Sequence, residues 1–258
     1  MTGRKRRGLV LQARDRQLLR ALAHLRVIAR EDAQILAGFG SITRANTRLL
    51  QLTDAGLLTR LPYGTHLGGQ RYLYALSRTG AHTVDVAFRP PLWPAHATLA
   101  WSPTLEHQLL LNRVYLALIQ ATDHGSPYEF ITWRTFSRPV SDAIRLMPDA
   151  YAEVRVADGI RAVFFEADRG TEATAVWTRK VRAYLQLAQS GEFARRFQQP
   201  QFRVAVLVPS PRRLQSIRRV IAQQTTKVFW LTAFSSGPVP LFEPVWLRPS
   251  GDDFQLLF

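Results

Sequence analysis

Three acidic residues and one lysine are spaced to do chemistry on a phosphate. Pro148-Asp149 opens one apolar stretch, and Glu166-Ala167-Asp168 closes the next. If both stretches are strands, their adjacent ends can bring Asp149 and Glu166 within bonding range of one ion. Two bare carboxylates that close repel, and a divalent cation such as Mg2+ or Mn2+ offsets the repulsion while accepting hard oxygen ligands. Such an ion activates water and neutralises a scissile phosphate. The chain has only three lysines, Lys5, Lys180 and Lys227. Lys180 follows the acidic pair on a helical stretch, where an ammonium could stabilise charge building on the phosphate. The plainer alternatives are that Asp149 caps a strand start and that Glu166 and Asp168 pair with Arg169, Arg179 or Arg182. Asp168 is either a third ligand or points away to bond Arg169 or the Thr171 region, closing a turn.

Elements must position these groups. Apolar periodicity predicts a helix over 103–122, strands at about 128–134, 148–156 and 161–168, a helix over 175–190, a strand at 202–208, a helix at 211–223 and a strand at 227–232. The order helix, three strands, helix, strand resembles the core of the PD-(D/E)xK nuclease fold. That resemblance implies an Mg2+-dependent endonuclease in which Asp149 and Glu166 hold the metal. The family lysine two positions after Glu166 is replaced by Asp168, and Lys180 can reach the same point from the following helix. Glu106 stands where related nucleases sometimes add a third carboxylate, so the catalytic candidates are Glu106, Asp149, Glu166, Asp168 and Lys180. His107 falls on the apolar face of its helix and reads as a core histidine before a catalytic base. No Ser/His/Asp spacing, Walker loop or G-x-G-x-x-G occurs, and the six scattered histidines argue against a histidine-cluster relaxase.

The first third of the chain carries a different chemistry. The net charge is +15, and residues 1–90 hold 15 lysines and arginines against five acids. That surplus points to a polyanionic partner, with double-stranded DNA the first expectation. Leu18, Leu19, Leu22 and Leu25 predict a helix over 13–26, and 30–37 gives a short second one. After Gly38-Phe39-Gly40, Ser41 can cap a third helix that runs to Ala55, before Gly56. Strands at 57–61 and 71–76 follow, joined by a Gly- and Pro-bearing loop. Three helices and a hairpin is the winged helix-turn-helix order.

In the third helix Ala45, Leu49 and Leu52 face the core. The other side carries Thr43, Thr47 and Gln51, flanked by Arg44, Asn46 and Arg48. Arginine reads guanine edges or phosphates, and Gln or Asn reads adenine. In the hairpin Tyr63, His66, Gln70 and Arg71 could lie along a backbone or in a minor groove.

The fold class is thus α+β, with an N-terminal winged helix-turn-helix and a C-terminal restriction-endonuclease-like α/β domain with a mixed sheet. Residues 1–80 form the first domain, with a basic arm over 1–10. Residues 81–100, holding Pro90, Pro91 and Pro94, form a linker, and 101–258 the second domain. The tail from Gly237 reads as Pro-rich. The absence of cysteine, of a secretion signal and of any apolar run near ~20 residues fits a cytoplasmic protein without a membrane partner.

Several stretches together resemble the plasmid replication-relaxation family of bacterial mobile elements. They are Ala13-Arg14-Asp15-Arg16 running into Leu18-Leu19-Arg20-Ala21-Leu22, Asp54-Ala55-Gly56-Leu57-Leu58, Tyr72-Leu73-Tyr74-Ala75-Leu76, Glu106-His107 with Asn112 downstream, Pro148-Asp149-Ala150, and Phe165-Glu166-Ala167-Asp168-Arg169-Gly170-Thr171-Glu172 followed by Lys180 and Tyr184. The similarity covers about 10–210, and the stretch from Glu166 to Glu172 is its most specific part. It implies a role in plasmid or integrative-element replication, DNA relaxation or transfer, with other mobile-element proteins as further partners and a homodimer allowed. The rival expectation is a non-catalytic winged-helix regulator or scaffold whose second domain dimerises or binds a partner.

Overall fold

The computed structural model describes residues 9–64, 70–90, 102–122, 125–170, 172–234 and 237–258. Most of the expected basic arm, His66 of the hairpin loop, residues 91–100 of the expected linker and Thr171 lie outside the described residues, as does the side chain of Gln70. The chain is a mixed α+β protein of two compact units, residues 1–112 and 113–258.

The first unit begins with α1 (Ala13–Leu25), α2 (Arg30–Leu36) and α3 (Ile42–Asp54). Each buries the stripe its spacing dictates: Leu18, Leu19, Leu22 and Leu25 on α1, Ala33 and Leu36 on α2, Ala45, Leu49 and Leu52 on α3. Ser41 caps α3, its Oγ accepting the Arg44 N–H at 3.3 Å. Gly56 follows with φ +75°, a left-handed turn that a side chain would strain. The chain then forms a hairpin, β1 (Leu58–Gly64) and β2 (Gln70–Leu76), antiparallel with Leu58 opposite Leu76 and Gly64 opposite Gln70. Both strands run longer than the sequence spacing predicts, because Pro62 and Tyr63 continue the ladder toward the loop.

The expected linker begins instead with a short helix, α4 (Arg78–Thr83), capped by Ser77 and packed on α1. Gly80 makes that docking possible, since a Cβ there would meet the Leu57 carbonyl oxygen at 2.1 Å. The helix α5 (Pro103–Ala121), expected to open the second domain, gives its first half to the first unit. Leu105 and Leu109 join Val27, Ala29, Leu61, Tyr63, Leu73 and Ala75 in one core, and buried Asn112 donates to the Val27 carbonyl at 2.5 Å.

The second unit is built on five strands, β3 (Glu129–Arg134), β4 (Ala150–Val156), β5 (Gly159–Ala167), β6 (Arg203–Val208) and β7 (Phe229–Ala233), lying side by side in that order. The first three are antiparallel, and β5, β6 and β7 are parallel. Parallel strands need a crossover between them. Here α6 (Thr174–Gln189) with the short α7 (Glu192–Phe197) joins β5 to β6, and α8 (Pro211–Ala222) joins β6 to β7. Trp177, Val181, Tyr184 and Leu187 of α6 and Leu214, Ile217 and Ile221 of α8 pack on one sheet face, formed by Tyr151, Phe164, Val204, Val206, Phe229 and Leu231. On α5, Tyr115 stands edge-on to Phe130 and Trp133 at 5.6 and 5.4 Å. The tail is no loose end: Leu247 exchanges backbone bonds with Leu231 on β7, and Trp246 pairs with Gln255.

Candidate functional site

Two groups of side chains stand out, one in each unit. In the first unit, Thr43, Arg44, Thr47 and Gln51 are exposed on α3. With Gln12, Arg14, Phe39 and Arg48 they line an open groove of about 430 Å3, and no carboxylate is among these lining residues. Arg14, which the sequence reading missed, is held there by the Phe39 ring 4.8 Å from its guanidinium. Among the described residues, Arg44 has no ion pair.

Two expected DNA contacts are placed otherwise. Arg48 turns inward: its Nε and Nη2 donate to Asp15 Oδ1 and Oδ2 at 2.9 and 2.5 Å, while Nη1 and Nη2 reach Gln51 Oε1 and the Val10 carbonyl. Asp15 is sealed from solvent. Burial pushes its carboxyl up, but the Arg48 hydrogen bonds, the Gln12 N–H and the charges of Arg48 and Arg14 outweigh that and leave it below the ordinary aspartate value. Asn46 faces the hairpin and accepts the Tyr74 hydroxyl at 3.3 Å. In the hairpin, Arg71 stacks over Tyr63 at 5.0 Å, and Arg60, also missed, lies 3.4 Å over Tyr72.

In the second unit the expected acidic pair converges. Ala150 pairs with Phe165, which sets Asp149, just ahead of β4, across from Glu166 near the end of β5. Asp149 Oδ2 accepts the Ala167 N–H at 2.8 Å. Glu166 shares the sheet face of Phe164, the face that α6 covers, so residues one turn apart on α6 reach it. Lys180 Nζ bonds Glu166 Oε2 at 2.9 Å, and the Tyr184 hydroxyl donates to Oε1 at 2.6 Å. Lys180 also bonds Glu172 Oε1 at 2.8 Å. Burial pushes the Glu166 carboxyl up to about 7, helped by the Asp149 charge and opposed by Lys180 and Tyr184. Burial works against the Lys180 charge, but Glu166, Asp149 and the Glu172 bond outweigh it and hold the ammonium above the ordinary lysine value.

The other two acidic candidates are committed elsewhere. Asp168 is buried and spends both oxygens: Oδ1 on the Gly170 N–H and Arg213 Nε, Oδ2 on Trp177 Nε1 and Arg213 Nη2, at 2.5 to 2.9 Å. It closes a turn, as one expectation had it, but its arginine is Arg213 on α8, 45 residues away and invisible to local spacing. Glu106 belongs to the first unit, where it receives the Tyr63 hydroxyl.

These placements test the expected Mg2+ or Mn2+ site. Asp149 and Glu166 offer hard oxygens, yet both oxygens of Glu166 already accept strong donors. Among the described residues no group of three His, Cys, Asp or Glu could hold a metal ion. The argument for an ion was the repulsion between two bare carboxylates; the Lys180 ammonium relieves part of that repulsion and holds the place beside Glu166 where the ion was expected. The residues as arranged do not fit the shared ion.

No curated protein and no solved structure matches the chain. The family described as replication-relaxation matches residues 19–199, a span that takes in α2, α3, the hairpin and the Asp149–Glu166–Lys180–Tyr184 group. With well over half its length matched, the chain belongs to the replication-relaxation family.

Proposed function

We propose that the chain is a double-stranded-DNA-binding protein acting in the replication or relaxation of a plasmid or other mobile element. In this reading residues 11–80 are a winged helix-turn-helix, and α3 enters the major groove. One observation carries it: Thr43, Arg44, Thr47 and Gln51 lie exposed on one helix face, in a groove shared with Arg14 that no acid lines. These are donors for base edges and phosphates with nothing to repel the polyanion.

The second unit, by its strand order and the position of its acidic pair, resembles a restriction-endonuclease-like core. The Lys180 ammonium already holds the place beside its acidic pair, and we read the unit as a non-catalytic scaffold that supports the DNA-bound reader.

The test is duplex binding by the full chain, followed by fluorescence anisotropy across a salt series. Each phosphate contacted releases counterions, so affinity falls by about 0.9 log unit per contact per log unit of salt. A salt-insensitive response, or an Arg44→Ala/Gln51→Ala variant that binds its best site as wild type does, overturns the reading.

A further inference from the structure

Across the second unit's sheet from the acidic pair lies a pocket of about 240 Å3 that neither group of side chains above uses. It is lined by Ile160, Arg161 and Ala162, by Gln201, Phe202 and Arg203, and by Lys227, Val228 and Trp230. These are the starts of β5, β6 and β7. Asp149 and Glu166 sit at the opposite end of β5, so the two places are separated by the length of a strand. Val163 pairs with Arg203 and Ala205 with Trp230, which puts Arg161, Arg203 and Trp230 on the sheet face turned away from α6 and α8.

The pocket gathers positive charge without settling it. The guanidiniums of Arg203 and Arg248 flank the Trp230 ring at 4.6 and 3.6 Å from its centre. Burial first, then the charges of Arg161 and Arg248, push the Arg203 guanidinium below the ordinary arginine value, and the Asp158 charge opposes them only in part. The carboxylate bonded to Arg161 is Asp158, at 2.6 and 2.7 Å, and it stands 71% exposed. Arg203 and Arg248 spend donors on the Leu257 and Thr226 carbonyls, which carry no countercharge. Lys227 is exposed and has no ion pair among the described residues.

Two further features mark the pocket. Arg161 Nε and Trp230 Nε1 are buried donors with no hydrogen-bond partner, a costly arrangement in a folded protein. Val228, in the pocket wall, has φ +56°, a left-handed backbone that a β-branched residue adopts only under strain. Strained residues held by their surroundings gather at ligand sites.

We propose that this pocket binds a phosphate of a nucleic-acid strand through Arg161, Arg203 and Lys227. Guanidiniums match a phosphate with paired donors, and a lysine adds a point charge. The volume suits one phosphate with its sugar and excludes a duplex. A phosphate presents the same oxygens beside every base. The contact is therefore blind to sequence. Arg161 lies inside the family match, and Arg203 and Lys227 lie beyond its end at residue 199.

The experiment measures binding of a thymidine tetranucleotide, too short for α3 to read as a duplex, to the full chain. Arg161→Ala/Lys227→Ala is expected to weaken it at least tenfold, with Lys227→Ala alone, at an exposed position, giving a smaller loss in the same direction. An adenosine tetranucleotide should bind within about twofold of the thymidine one. Arg179→Ala, at an exposed position of α6 outside the pocket and outside the α3 groove, should leave tetranucleotide binding unchanged, and the α3 reading is scored separately on duplex, so failure of this site and failure of that reading are told apart. Unchanged binding in both pocket variants overturns the proposal. Inorganic phosphate that competes as tightly as the tetranucleotide overturns the nucleic-acid assignment and leaves a free-phosphate pocket.

Discussion

Arg48 on α3 forks onto Asp15 on α1, with 2.9 Å to Oδ1 and 2.5 Å to Oδ2, and Asp15 is sealed from solvent. The two residues are 33 apart in sequence and belong to different helices. Asp15 also takes the Gln12 N–H at 2.7 Å, so the same carboxylate starts α1 and anchors α3. A side chain whose position on α3 suggests a phosphate contact is instead what fixes the angle at which that helix is held.

Arg48→Ala should therefore act on stability before it acts on DNA. It leaves a buried aspartate without its ion-pair partner, which costs about 3–5 kcal/mol. Denaturant unfolding measures it, and a loss under 1 kcal/mol contradicts this role. The acid limb gives an independent check. The folded Asp15 carboxyl lies below its ordinary value of 3.8, so its stabilisation is present above that pH and is lost as pH falls through the folded value. An Asp15→Asn variant should be less stable than wild type at neutral pH and converge on it in acid.

On α3 itself the exposed and inward positions should separate in binding. Losing Arg44 is expected to cost roughly 1–3 kcal/mol on the preferred duplex and less on random DNA. Asn46→Ala, on a side chain turned to Tyr74, should change the preference between the two DNAs little. Parallel titrations with a selected site and a scrambled one decide it. Equal losses for both variants on both DNAs would mean that α3 does not read bases.

How much of this was readable beforehand divides along a physical line. The helix stripes, the Ser41 cap and the succession of strands along the chain come from local periodicity and capping chemistry, which sequence spacing reports directly. The convergence of Asp149, Glu166 and Lys180 was also readable, since adjacent strand ends and one helix face suffice to bring them together. What local pattern does not carry is choice of partner over long range. Arg48 with Asp15, Asp168 with Arg213, and Glu106 with Tyr63 all depend on which elements dock. The helix α4 was hidden for another reason: its six residues, with Gly80 at a docking point, have too few turns to show a period.

Glu166 should make stability fall as pH rises across the mildly acidic range. Its carboxyl titrates near 4.5 when exposed and at about 7 in the fold. Between those values the fold keeps a proton that the unfolded chain has released. The extra proton binding means that stability is greatest at the acid end, declines as pH climbs from 4.5 to 7, and loses nothing more above 7. Glu166→Gln, which cannot ionise but keeps an acceptor for Tyr184, should remove this slope. Thermal melts of both proteins across pH 4.5–8 measure it, and identical slopes would place the titration elsewhere.

The last prediction concerns the place of a cation beside Asp149 and Glu166. Lys180 already supplies one positive charge 2.9 Å from Glu166 and has Glu172 behind it. A divalent ion entering the same place would have to displace that ammonium and then face it as a like charge at close range. Wild-type melting temperature should thus be indifferent to millimolar Mg2+ or Mn2+, and supercoiled DNA should stay intact with either metal while DNA binding persists. Lys180→Ala removes the internal cation. It should lose about 3 kcal/mol or more from the uncompensated buried acid, and its melting temperature should now rise with added Mn2+. Lys180→Arg, which keeps the charge, should stay indifferent to the metal. Nicking by wild type in Mn2+ that disappears in both Asp149→Ala and Glu166→Ala would overturn this account. It would show that the acidic pair releases Lys180 and takes a metal when DNA is bound.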